Sequence, residues 1–113
     1  MSQNSMRAEK NLLINNKEYK AKMSVDTIIR IEDALGGSIF GVAKKFEIPD
    51  VRVNELLVII YQCVRAGGHD ITEKDIKSYI SNVGIVEATK TAGELIVLGL
   101  NVDSNNNQKK SDS

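Results

Sequence analysis

The side chains best suited to chemistry are the single cysteine, Cys63, and the single histidine, His69. A thiolate nucleophile needs a base beside it and a third group to orient that base. Cys63 lies inside an apolar run and reads as a small buried hydrophobe. His69 follows the Gly67-Gly68 pair, and nothing is placed to orient it. One cysteine allows no intramolecular disulfide, and a free thiol fits a reducing compartment. Gly36-Gly37-Ser38, with Gly41 beyond, has the outline of a phosphate-binding loop. Such a loop follows a strand and in its Walker form ends in Gly-Lys-Ser/Thr. Here the glycines follow a helical pattern and no Gly-Lys occurs, so they read as a helix C-cap joined to the next N-cap.

The turn Gly67-Gly68-His69-Asp70 and the following Ile71-Thr72-Glu73 mimic the outline of an EF-hand. A calcium loop needs oxygen ligands at alternate positions over twelve residues, ending in a bidentate Glu. Only Asp70, Glu73 and Asp75 are at hand, and the loop is too short. The same pair of helices resembles a DNA-binding helix-turn-helix, but Glu73 and Asp75 offset Lys74 and Lys77, and no arginine is placed for base contacts. Asp26, Glu55, Glu73 and Asp75 fall at helix starts, where the helix dipole favours negative charge. Glu32 and Asp33 are adjacent on a helix and diverge by roughly 100°, a poor arrangement for general acid/base work; Glu32 is expected to face solvent or cap a neighbouring segment. The residues therefore predict no catalytic site, metal or cofactor, and no enzyme activity.

The elements that carry these residues follow from periodicity. Leu12, Ile14, Tyr19, Ala21 and Met23 alternate around Asn15-Asn16, which predicts a two-stranded hairpin with these side chains on one face. A hairpin alone is marginal and must lie on helices. Ser24 caps a first helix carrying Val25, Ile28, Ile29, Ile31 and Leu35, stopped by Gly36-Gly37. Ser38 starts a second, with Ile39, Val42, Ala43 and Phe46 on one face, and Pro49 breaks the pattern within a connector over 47–53. Asn54 is the expected cap of a third, central helix striped by Leu56, Leu57, Ile60, Cys63 and Val64, with Ile59 and Tyr61 widening the stripe. Thr72 with Asp75 gives a capping box for a fourth helix bearing Ile76, Tyr79, Ile80 and Val83, which Gly84 ends. A fifth runs from about Ile85 to Leu100, about 24 Å by helical rise.

The fold class is thus mainly α, or α+β by strict count: an N-terminal hairpin on a bundle of about five short helices. One domain is expected over 11–101, with a disordered N-terminus at 1–10 and a disordered polar tail at 102–113. Aromatics are only 4% of the 113 residues against 42% hydrophobic, so the core must be aliphatic. Lys plus Arg and Asp plus Glu are 15 each; without a basic excess, nucleic acid is not an expected partner. No apolar run reaches membrane-spanning length and no secretion signal is visible, so the expected location is cytoplasmic.

The segment Ile31-Glu32-Asp33-Ala34-Leu35-Gly36-Gly37-Ser38-Ile39-Phe40, with Glu32, Gly36, Gly37 and Ser38 at its centre, resembles the gene-transfer-agent family of small phage proteins, classed with phage tail assembly chaperones. Val53-Asn54-Glu55-Leu56-Leu57, Gly67-Gly68 and Ile71-Thr72-Glu73 extend the resemblance, which spans about Leu12 to Leu100. It implies a non-enzymatic tail assembly chaperone of a phage, prophage or gene transfer agent that coats the apolar, helical tape-measure protein before the tail tube forms. The second half of the fifth helix, 95–100, is apolar nearly all round. One stripe of it can bury on the domain; the rest, around Val97 and Leu98, is either covered by the hairpin as part of the core or left as an apolar surface that suits a partner. Leu95, Val97, Leu98 and Leu100, with Ile59, are the candidate partner-binding residues. A self-associating structural component that forms a ring is the alternative, and a small helix-turn-helix regulator a second one.

Overall fold

The hairpin forms where alternation and turn chemistry agree. Strand β1 (Glu9–Ile14) pairs antiparallel with β2 (Lys17–Lys22), placing Leu12 opposite Tyr19 and Ile14 opposite Lys17. Asn15 and Asn16 take φ of 51° and 69°, the left-handed pair that a two-residue hairpin turn requires. Asn15 also ties the turn to the helices: its amide donates to the Asp75 carbonyl, and Asn82 donates to its side-chain oxygen, both at 3.2 Å. In this computed structural model the described residues are 9–112, with side chains described for 9–101. The expected N-terminal tail therefore gives up Glu9 and Lys10 to the strand, where they pair with Lys20 and Glu94; residues 1–8 lie outside the described ones.

Five helices follow: α1 (Val25–Leu35), α2 (Ile39–Glu47), α3 (Val53–Ala66), α4 (Glu73–Val83) and α5 (Ile85–Asp112). The last passes the expected end at Leu100; the stretch 102–113, expected to be a disordered tail, lies outside the residues with described side chains. The caps at Ser24, Ser38 and Thr72 form as the sequence predicts, each hydroxyl accepting a backbone N–H of the first turn. The cap of α3 differs. It lies at Arg52 rather than Asn54, because the Glu55 carboxylate reaches back to the Arg52 N–H at 2.7 Å.

Helix α3 is central and packs against β2, α1, α4 and α5. Its stripe of Leu56, Leu57, Ile59, Ile60, Cys63 and Val64 is buried, together with Leu12, Ile14, Ala21 and Met23 of the hairpin face. Helix α1 turns differently from the expected stripe: Thr27 and Ile31 are buried, whereas Val25 and Ile29 are exposed. Thr27 tolerates burial because its hydroxyl bonds the Ser24 cap at 3.0 Å, which satisfies a polar group that would otherwise be costly.

The outer edge of β2 is closed by the α3–α4 turn. The His69 imidazole Nε2 accepts the Lys20 N–H at 2.9 Å, and its ring meets Tyr19 edge-on at 5.1 Å. Gly67 sits so close to the Lys20 carbonyl that a Cβ there would overlap it. Helix α5 reaches the hairpin by the same device: a Cβ at Gly99 would lie 2.6 Å from the Met23 Cγ.

Candidate functional site

The surface best suited to a partner is built at the junction of α1, α2 and α5. Gly36 ends α1 at φ 76°, a left-handed conformation that glycine adopts without penalty. Ser38 then caps α2 through the Gly41 N–H at 3.1 Å, and the Glu32 carboxylate accepts the Ile39 N–H at 2.8 Å. The motif residues Glu32, Gly36, Gly37 and Ser38 thus form a corner that fixes the direction of α2. Glu32 is the cap of a neighbouring segment, one of its two expected roles.

With its direction set, α2 buries Ile39 and Val42 and half-buries Ala43 and Phe46 toward α5. Gly93 on α5 makes room: a Cβ there would lie 3.4 Å from the Phe46 ring. Two adjoining concavities of about 480 and 500 Å³ share Ala43, Glu47 and Leu100. Phe46, Ile96 and Val97 line one, and Phe40 the other. Together they form an open apolar groove between α2 and α5, rimmed by Lys44, Glu47, Lys90 and Glu94. Phe40 is 74% exposed and Val97 56%. Both phenylalanines of the chain therefore lie on this one surface.

The five expected partner-binding residues divide here. Val97 and Leu100 line the groove. Leu98 is half-buried and packs on the core instead. Ile59 and Leu95 are fully buried and cannot meet a partner in the folded chain. The reason is the α5 stripe Ala88, Ala92, Leu95, Ile96 and Gly99, spaced i, i+4, i+7, i+8, i+11, which selects Leu95 for the core and leaves Val97 on the opposite side. Phe40 was not among the expected partner-binding residues. It falls off the Ile39–Val42–Ala43–Phe46 stripe, and a large aromatic outside the buried face of its own helix was the available signal.

A second apolar concavity of about 600 Å³ lies where α3 begins and α4 meets α5, lined by Val53, Leu57, Ile80 and Ile85. Val83 and Val86 are exposed on the same two helices.

The reactive-looking side chains are occupied structurally. Cys63 is buried, donates toward the Met23 sulfur at 3.9 Å, and has its thiol pushed up to about 12 by desolvation, which removes the thiolate a nucleophile needs. His69 accepts the Lys20 N–H at its Nε2, while the Cys63 thiol faces the Met23 sulfur. Asp70 pairs with Arg65, and Asp75 returns to the Thr72 N–H. Burial pushes the Glu55 carboxyl up, but the Arg52 N–H and the Lys45 ammonium at 2.6 Å outweigh it and hold it below the usual range. No group of three or more His, Cys, Asp or Glu converges among the described residues. Among the same residues no helix is long and apolar enough to cross a membrane.

No curated protein and no solved structure matches the chain. A family model described as phage tail tube protein, GTA-gp10, matches residues 7–101, in keeping with the resemblance of the Glu32–Ser38 segment, and the chain belongs to that family of phage tail-related proteins.

Proposed function

We propose that the chain is a non-enzymatic tail assembly chaperone that holds an apolar helical segment of the tape-measure protein in the α2–α5 groove. The observation that carries this reading is the open apolar wall of Phe40, Ala43, Phe46, Val97 and Leu100. An amphipathic helix laid into such a groove buries its i, i+3, i+4, i+7 anchors, and each phenylalanine offers a large contact area. A long apolar rod would aggregate before the tail tube encloses it. Several copies of a small protein, each covering a few turns with modest affinity, would keep it dispersed and then yield to the tube subunits. The work would take place in the cytoplasm of the bacterial host.

Co-expression with the tape-measure protein of the same genetic element tests this. The expected outcome is a soluble complex that co-purifies, and loss of both solubility and complex with Val97→Asp. A tape-measure protein that is equally soluble without the chain, and no complex, would refute the proposal.

The second reading is a structural tail component that closes into a ring. It is favoured by the family's description as a tail tube protein and by the second apolar concavity at Val53, Leu57, Ile80 and Ile85, because head-to-tail association needs two different faces on each copy. Native mass spectrometry over a concentration series separates the two: a stable closed ring favours this reading, and a monomer excludes it.

A further inference from the structure

We propose that a second surface, where β2, α1 and α3 meet, captures the carboxylate side chains of an acidic peptide segment in a protein partner. The surface is a concavity of about 560 Å³ into which Lys22, Arg30 and Arg65 converge from three separate elements, with Tyr61, Gln62 and Asp26 also lining it. Three cations against one carboxylate is a local excess in a chain whose charges balance overall. Lys22 and Arg30 have no carboxylate within ion-pair distance among the described residues. Arg65 pairs at 3.2 Å with Asp70, which is fully exposed. An exposed pair of this kind is worth little, so Arg65 can exchange Asp70 for an incoming anion.

The guanidinium groups offer the fork geometry that binds a carboxylate through two parallel hydrogen bonds. The Tyr61 hydroxyl and the Gln62 amide add neutral donors beside them. Asp26 disfavours an anion at its own end of the concavity and so restricts where a carboxylate sits. The cations converge on a single hollow with room for a few side chains. A nucleic-acid backbone would instead need a row of cations following its phosphates. The hollow shares no lining residue with the α2–α5 groove, so this proposal stands or falls apart from the chaperone reading.

The test is titration of the full chain with a hexaglutamate peptide at low salt, followed by amide chemical shifts. The expected result is saturable binding with shifts centred on Lys22, Arg30, Tyr61, Gln62 and Arg65. Affinity should fall as salt rises. Lys22→Glu with Arg30→Glu should weaken it by about tenfold or more, since like charges oppose the peptide. The neutral pair Lys22→Gln and Arg30→Gln, with unchanged circular dichroism, should weaken it less and confirms that lost charge rather than lost fold is responsible. Absence of binding, shifts scattered over other surfaces, or equal binding by the reversed variant would overturn the proposal. Tighter binding of inorganic phosphate or a short oligothymidylate than of the peptide would overturn it as well.

Discussion

Gly67 shows how one residue couples two elements. It ends α3 with an ordinary helical backbone, φ −75°, so its value is not conformational freedom but the missing Cβ against the Lys20 carbonyl. Gly67→Ala forces β2 away from α3 and should cost about 1–3 kcal/mol, the usual range for overpacking, measured by urea denaturation. The sequence suggested only a helix stop at this position, since the contact joins residues far apart in the chain. Cys63 gives a second prediction at this scale. With its thiol pushed up to about 12 by burial, it should stay unreactive toward a thiol-specific reagent in the native protein and react once urea unfolds the chain. Rapid native labelling would contradict the buried placement. The hydrophobic character of Cys63 was legible from its apolar neighbours. The partner of His69 was not, because the Lys20 N–H it binds comes from the hairpin edge.

Helix boundaries were legible where a Ser or Thr hydroxyl forms the cap. Ser24, Ser38 and Thr72 each bond an N–H within three residues, and such short-range chemistry is written in neighbouring letters. At α3 the reciprocal carboxylate of Glu55, rather than the amide of Asn54, sets the start. The α4 box carries a pH prediction. The Thr72 N–H, and then its hydroxyl, hold the Asp75 carboxyl below its usual value. A carboxylate with a lowered folded value contributes stability above its unfolded value, and that contribution is lost as pH falls through the folded one. Asp75→Asn should therefore lower Tm near neutral pH, and the difference from wild type should close in acid below the folded value. A constant gap across the whole range would assign the effect to packing instead. Helix α5 was legible as a helix but not in its rotation, since a segment apolar nearly all round does not reveal which stripe faces inward.

At the scale of the whole molecule, the groove depends on that rotation. Leu95→Ala should cost about 2–5 kcal/mol as a core truncation, whereas Val97→Ala should stay within about 0.5 kcal/mol as a surface change. Thermal or urea unfolding of the two variants checks which side of α5 faces the core, and the reverse order would invert the groove. The hairpin-plus-helices architecture came through from the sequence because alternation, caps and glycines agree along the chain. The groove did not, because it is assembled from α2 and α5, which meet only in the fold. The proposed binding of another tail protein rests on this groove. Its most direct test is the affinity of the purified chain for a tape-measure fragment, measured side by side for wild type and for Phe40→Asp with Val97→Asp, both folded by circular dichroism. The expected result is binding by wild type and a loss of about tenfold or more in the variant, since a charge is placed on two exposed apolar anchors of the groove. Equal affinity of the two proteins, or no binding by wild type, would contradict it.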